Sequence, residues 1–189
     1  MVTRGAVMMV LFALAVSLRA QQQRPAFTVQ SGIVAATLPA SVLQDKSVKK
    51  QLGSGLTTTF LLVARQRESG LVSGARIEVR YDLWDEVWIV RRVEFDGKTD
   101  RQRIASAEAL EKWWRAPVRL FATGAARVAL QLDLNVLPFS AAEEDDARQW
   151  ITKAGGVGSG AGLVDALIGT TISAKPITSF RWNVDLSLR

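Results

Sequence analysis

Cysteine and histidine are both missing from this chain of 189 residues. Without cysteine no disulfide can staple the fold, so packing of the core must hold it together. A lipid-attachment cysteine is excluded by the same count. Without histidine, serine–histidine and cysteine–histidine nucleophile systems and the usual imidazole general base fall away. The two absences together remove the ordinary ligands of zinc, copper, haem and iron–sulfur centres, leaving only carboxylate sites for a metal. No cofactor is expected.

A long apolar run is lacking too. The opening "MVTRGAVMMVLFALAVSLRA" has Arg4, an apolar stretch over residues 6–16, and then Leu18-Arg19-Ala20. The stretch is shorter than the roughly 18 residues needed to span a bilayer. Its pattern is that of a secretory signal peptide cut after Ala20, with an uncleaved anchor as the alternative. The expectation is an exported chain, periplasmic if the host has two membranes and otherwise extracellular, and not an integral membrane protein once the signal is removed. Removing residues 1–20 takes away Arg4 and Arg19 and no acid, lowering the formal charge from +6 to +4. The basic residues cluster at Lys46, Lys49 and Lys50, at Arg65 and Arg67, at Arg91 and Arg92, and at Lys98, Arg101 and Arg103. Outside the cytoplasm these suit anionic lipid or glycan better than nucleic acid, and solvated loops better still.

The rest reads as one β-rich domain over residues 21–189. "AFTVQSGIVAATLP" reads as one strand, edge-like or bulged at Gly32, and "SVLQDKSVKKQLGSG" as a helical turn ending at Gly53. "LTTTFLLVARQ" is β-branched and apolar, hence a strand. "SAEALEKWW" is a helix capped by Ser106, with Ala107, Leu110 and Trp114 at helical spacing, and Pro117 stops it. Trp113 and Trp114 cannot both face inward from one helix, so one of them is expected to be partly exposed. "VRLFAT" is a short strand. In "ARVALQLDLNVLP" the residues Val128, Leu130, Leu132, Leu134 and Val136 alternate with polar ones. "SAAEEDDARQWITKAGG" is the second helix, with Ser140 and Glu143 as a capping box. Its acids at 143–146 suit the positive helix end and lack the alternating loop that calcium requires. The glycine-rich "GVGSGA" follows a helix instead of a strand, so it is a loop and not a nucleotide cradle. Residues 140–171 thus form a helix and glycine-rich insertion before a last strand. There Phe180, Trp182, Val184, Leu186 and Leu188 should make one buried row. The fold class is α+β: mainly an antiparallel twisted sheet or β-sandwich with two short helices. A membrane β-barrel fits poorly, because helices interrupt the strands and no terminal aromatic closes the chain.

The stretch "YDLWDEVWIV" holds three carboxylates and two tryptophans in ten positions. Those are the residue types of a carboxylate-dependent glycan hydrolase, with Asp82, Asp85 or Glu86 as acid and base. Local pattern offers a simpler account. Ile77, Val79, Tyr81 and Leu83 alternate with Arg76, Glu78, Arg80 and Asp82, while Val87, Ile89 and Val93 continue beyond a polar turn at Asp85-Glu86. Trp88 and Val90 fall on the other side, so the second strand should be covered on both faces. A β-hairpin explains every residue in the stretch. The candidate partner or ligand surface is therefore Trp84, Asp85, Glu86, Trp88 and Trp113 with Arg91 and Arg92, and no catalytic, cofactor or metal residues are assigned.

"SGLTTTFLLVA", "RYDLWDEVWIV", "SAEALEKWW" and "RVALQLDLNVLP" come in an order and spacing similar to an exported bacterial family, domain of unknown function 4390. The resemblance covers roughly residues 27–140. Gly55, Tyr81, Trp88, Val90, Ala109, Leu110, Leu132, Asp133, Leu137 and Pro138 take its pattern positions, and the helix and glycine-rich piece after Phe139 depart from it. It implies an exported β-rich domain without assigned catalytic residues. The sequence thus points to a non-catalytic binding or interaction protein of the cell envelope, whose partner is an envelope protein or envelope component. The alternatives are a carrier of an apolar ligand such as lipid, with a glycine-hinged lid over residues 155–171, and the glycan hydrolase.

Overall fold

The computed structural model describes residues 24–138 and 176–187. In chain order these form β1 (Ala26–Gln30), β2 (Ile33–Thr37), α1 (Ser41–Gln44), α2 (Lys46–Leu52), β3 (Thr58–Gln66), β4 (Val72–Asp82) and β5 (Val87–Val93). Then come β6 (Thr99–Ile104), α3 (Ala107–Trp114), β7 (Val118–Ala122), β8 (Arg127–Pro138) and β9 (Thr178–Ser187). The strands make two antiparallel sheets, one ordered β1-β2-β7 and the other β6-β5-β4-β3-β8-β9. The α+β, sandwich-like reading holds. The expected signal segment 1–20, the helix and glycine-rich piece expected within 140–171, and Leu188 all lie outside the described residues.

The large sheet is built outward from its most apolar strands. β3 is buried from Thr58 to Ala64 with no alternation, as a strand covered on both faces requires. Its core-facing residues Phe60, Leu62 and Ala64 pair with Ile77, Ala75 and Ser73 of β4 and with Val136, Leu134 and Leu132 of β8. Gly74 permits the β3–β4 approach, since a Cβ there would lie 2.1 Å from the Leu62 carbonyl oxygen. The opposite face carries a small second cluster of Leu61, Val63 and Leu137 against Val72. Between the sheets lies the main core, to which the small sheet adds Val34, Ala36, Val118, Leu120 and Phe121. The Ser73 hydroxyl of β4 donates to the Leu120 carbonyl of β7 and ties the layers together.

α3 plugs this core. Ser106 caps it by accepting from the Ala109 amide, and Leu110, Trp113 and Trp114 are buried. Trp114 meets Phe60 edge-on at 4.8 Å and donates its indole N–H to the Pro39 carbonyl. The expectation that one of Trp113 and Trp114 is partly exposed is therefore corrected. About 100° separates them around the helix, and each side has its own neighbours, β3 for Trp114 and β5–β6 for Trp113.

Other corrections follow the same logic. The first segment is not one strand but a hairpin, because Ser31 (φ 52°) and Gly32 (φ 74°) both take the left-handed conformation of a tight two-residue turn. β6, "TDRQRI", belongs to the sheet as an edge strand although Arg101 and Arg103 look like loop charges. In β5 the side of Trp88, Val90 and Arg92 faces the core, whereas Val87, Ile89 and Val93 on the other side are half-buried. In β9 the alternation is as expected, but Phe180, Trp182, Val184 and Leu186 are half-buried, as an edge strand leaves them.

Candidate functional site

The β4–β5 hairpin is confirmed by its register, with Tyr81 opposite Trp88 and Asp82 opposite Val87. Four residues form its tip. The Asp82 carboxylate accepts from the backbone amides of Trp84 (3.0 Å) and Asp85 (3.3 Å), which folds the chain back on itself. Those amides, Asp85 first and Trp84 next, hold the Asp82 carboxyl below the usual carboxylate range. Glu86 completes the turn at φ 51°. Behind the tip, Tyr81 and Trp88 pack ring to ring at 4.8 Å.

The fold therefore presents Trp84 almost fully, at 96% exposure, with Leu83 at 64%. Sequence alternation placed Leu83 inside; it leaves the strand at the turn instead. Leu56, 57% exposed, lies in the α2–β3 loop next to Gly55. The loop and the tip touch at Gly55, whose left-handed backbone (φ 74°) brings its Cβ position within 3.1 Å of Leu83 Cδ1. Leu56 was missed in the sequence; "GSGL", an apolar residue after a glycine-rich bend, was the signal.

The other surface candidates separate into four groups. Asp85 and Glu86 are exposed at the tip, and Asp85 is paired with Arg103 of β6. Trp88 is half-buried in the core face. Arg91 lies 3.6 Å from Glu78, which Arg76 also contacts at 2.7 Å. Arg92 and Trp113 are not at the surface, with 4% and 7% exposure respectively. The Arg92 guanidinium donates to the carbonyls of Trp113 (3.0 Å) and Ala116 (3.4 Å) at the end of α3 and lies 4.5 Å from the Trp113 ring centre. The Trp113 indole N–H donates to Asp100 (2.8 Å), which stands opposite Arg92 in the sheet. Burial lowers the Arg92 pKa from its ordinary value, while the charges of Glu94 and Asp100 oppose the shift. This is a buried helix anchor, placed where carbonyl groups carry negative partial charge.

For glycoside hydrolysis one carboxyl of a pair has a raised pKa and donates a proton. Asp82 is shifted the other way, and Asp85 is engaged by a guanidinium. Among the described residues no group of three or more acidic side chains is placed to hold a metal ion. A half-open groove of about 650 Å³ runs between Arg24-Pro25 and β9, lined by Arg181, Trp182, Asn183, Val184 and Asp185. Its lining mixes polar and apolar side chains about evenly, and the lid expected over residues 155–171 lies outside the described residues. No described helix is long and apolar enough to cross a membrane.

The residues that carry the resemblance to domain of unknown function 4390 have structural positions here. Gly55 touches the hairpin tip, Tyr81 and Trp88 pair behind it, Leu110 is in the core, and Leu132 and Asp133 sit on central β8. Comparison of the chain with protein-family models, with curated proteins and with solved structures finds no match.

Proposed function

We propose that this is an exported, non-catalytic binding protein of the cell envelope whose contact surface is the β4–β5 tip, with Trp84 at its centre. The observation that carries the reading is the 96% exposure of Trp84 on a hairpin whose base is fixed by packing. Trp is costly to leave in water and is over-represented where proteins meet partners. A tip closed by Asp82 loses little conformational freedom on binding, so contact there is favoured. The signal segment and the resemblance to domain of unknown function 4390 support placing the protein in the envelope.

A photo-crosslinking residue placed at position 84 in producing cells tests this. An adduct with an envelope component is expected from position 84 and not from Val29, an exposed apolar residue of β1. Absence of any adduct at 84 would sink the reading. Turnover in a broad hydrolase screen that disappears in Asp85→Asn and Glu86→Gln would replace it with the glycan enzyme.

A further inference from the structure

We infer that the partner of the tip is an anionic lipid surface, with Leu83, Trp84 and Leu56 entering the headgroup region and nearby lysines and arginines meeting lipid phosphates. The inference rests on the contact surface proposed above and adds the partner's chemistry.

Three features of the tip carry it. First, three large apolar residues are exposed at the tip and in the loop beside it. Leu83 and Trp84 end the hairpin, and Leu56 follows the glycine that touches Leu83. A protruding Trp flanked by leucines suits a bilayer interface, where an amphipathic ring sits at headgroup level. Second, the turn satisfies two of its own amide donors. The amides of Trp84 and Asp85 already donate to Asp82, which reduces the penalty of leaving water.

Third, the surroundings are basic. The last turn of α2, followed by Gly53 and the loop that holds Gly55, carries the exposed Lys49 and Lys50. Arg80 and Arg103 both stand opposite Ile89, in one row just behind the tip, and Arg101 lies next to that row on β6. Against these five cations stand Asp82, Asp85 and Glu86, while Glu78, in the row of Arg101, is paired with Arg76 and Arg91. Asp82 is turned to the backbone and Asp85 is matched by Arg103, which leaves the field positive. Basic residues around a small apolar anchor are the combination that binds anionic leaflets.

The chain has no cysteine, so Leu83→Cys creates one attachment point for an environment-sensitive dye. The full chain, purified from the envelope of producing cells, is mixed with vesicles of phosphatidylcholine with or without phosphatidylglycerol. Every comparison uses the same chain, so the apolar stretch 6–16 contributes equally throughout. A blue shift at position 83 is expected with phosphatidylglycerol and not without it, and the same dye at Val29→Cys should not respond. Trp84→Ala should weaken vesicle binding roughly tenfold with an unchanged melting temperature. The triple variant Lys49→Gln, Lys50→Gln, Arg80→Gln should bind more weakly and with less dependence on salt. A dye that stays in water while the protein sediments with vesicles overturns the inference, and so does equal binding to neutral vesicles. If position 84 cross-links to a protein and vesicles are not bound, the lipid partner is wrong and the contact surface stands. If neither occurs, both are wrong.

Discussion

An arginine in a strand reads as a solvent-facing cation, yet Arg92 lies under the last turn of α3 with two carbonyls, an indole face and Asp100 around it. Arg92→Ala leaves those carbonyls without their donor and opens a cavity, and should cost about 3–5 kcal/mol. Arg92→Lys should recover only part of that, since an ammonium cannot stack on Trp113 and reach two carbonyls with a planar fork. Urea titration would show a lowered midpoint with an unchanged slope; a lysine variant as stable as the parent would refute the assignment. Asp133 is the anionic counterpart on the opposite face of the large sheet. Burial alone would raise its pKa. Hydrogen bonds from Arg181 and Gln131, with the charges of Arg181 and Arg65, outweigh burial and hold it below the usual range. A carboxyl depressed in the folded state stabilises the fold above its unfolded value of about 4 and loses that contribution as pH falls through the folded value. Melting temperature should therefore drop on acidification through this range, and Asp133→Asn should shallow that drop. An unchanged acid limb in the variant would show that the clamp contributes nothing.

Elements were legible where one physical cause dominated. β8 and β9 alternate cleanly, "SAEALEKWW" has its cap and its stop, and the hairpin explained "YDLWDEVWIV" without any appeal to catalysis. β6 was illegible because an edge strand needs no apolar row: Arg101, Gln102 and Arg103 are exposed, and its place is fixed by pairing with β5. Charged side chains there also guard the edge against pairing with another chain. The turn at Ser31-Gly32 was misread since Ser-Gly is a weaker signal than Asn-Gly. Of the candidate surface, Asp85 and Glu86 are where the turn pattern put them and Trp84 has moved from the strand into the tip, whereas Arg92 and Trp113 are buried by long-range packing that no local period encodes. β9 shows that a period fixes which side chains face the core but not how deeply they sink. Its burial is partial, so Trp182→Ala should cost about 1.5–3 kcal/mol. Trp114→Ala, at a fully buried site, should cost about 3–5 kcal/mol. Denaturant midpoints of the two variants provide the check, and a larger loss at Trp182 would contradict the edge position of β9.

At the scale of the whole molecule, stability should fall off from the middle of the large sheet outward. β3 and β8 are each paired on both sides, and their core-facing rows meet those of β4 and the small sheet. No disulfide can hold a peripheral strand once its packing loosens. The cost of exposing an amide therefore depends on how much apolar surface must open with it. Opening β6 exposes little beyond Ile104 and the contacts of Asp100, and opening β1 releases mainly Phe27. Opening β3 means separating Phe60 and Leu62 from both neighbouring strands and from Trp114. Native-state hydrogen exchange should accordingly place Phe60, Leu62, Ile77, Leu132 and Leu134 among the slowest amides, near the global unfolding free energy. β1 and β6 should exchange faster by local opening, with β9 between the two groups because its half-buried row runs the full length of β8. Comparable protection in β6 and β3 would mean that the edge is held by something other than the contacts described. A slow β9 matching β8 would mean that the two strands open as one unit, and Trp182 would then belong to the core.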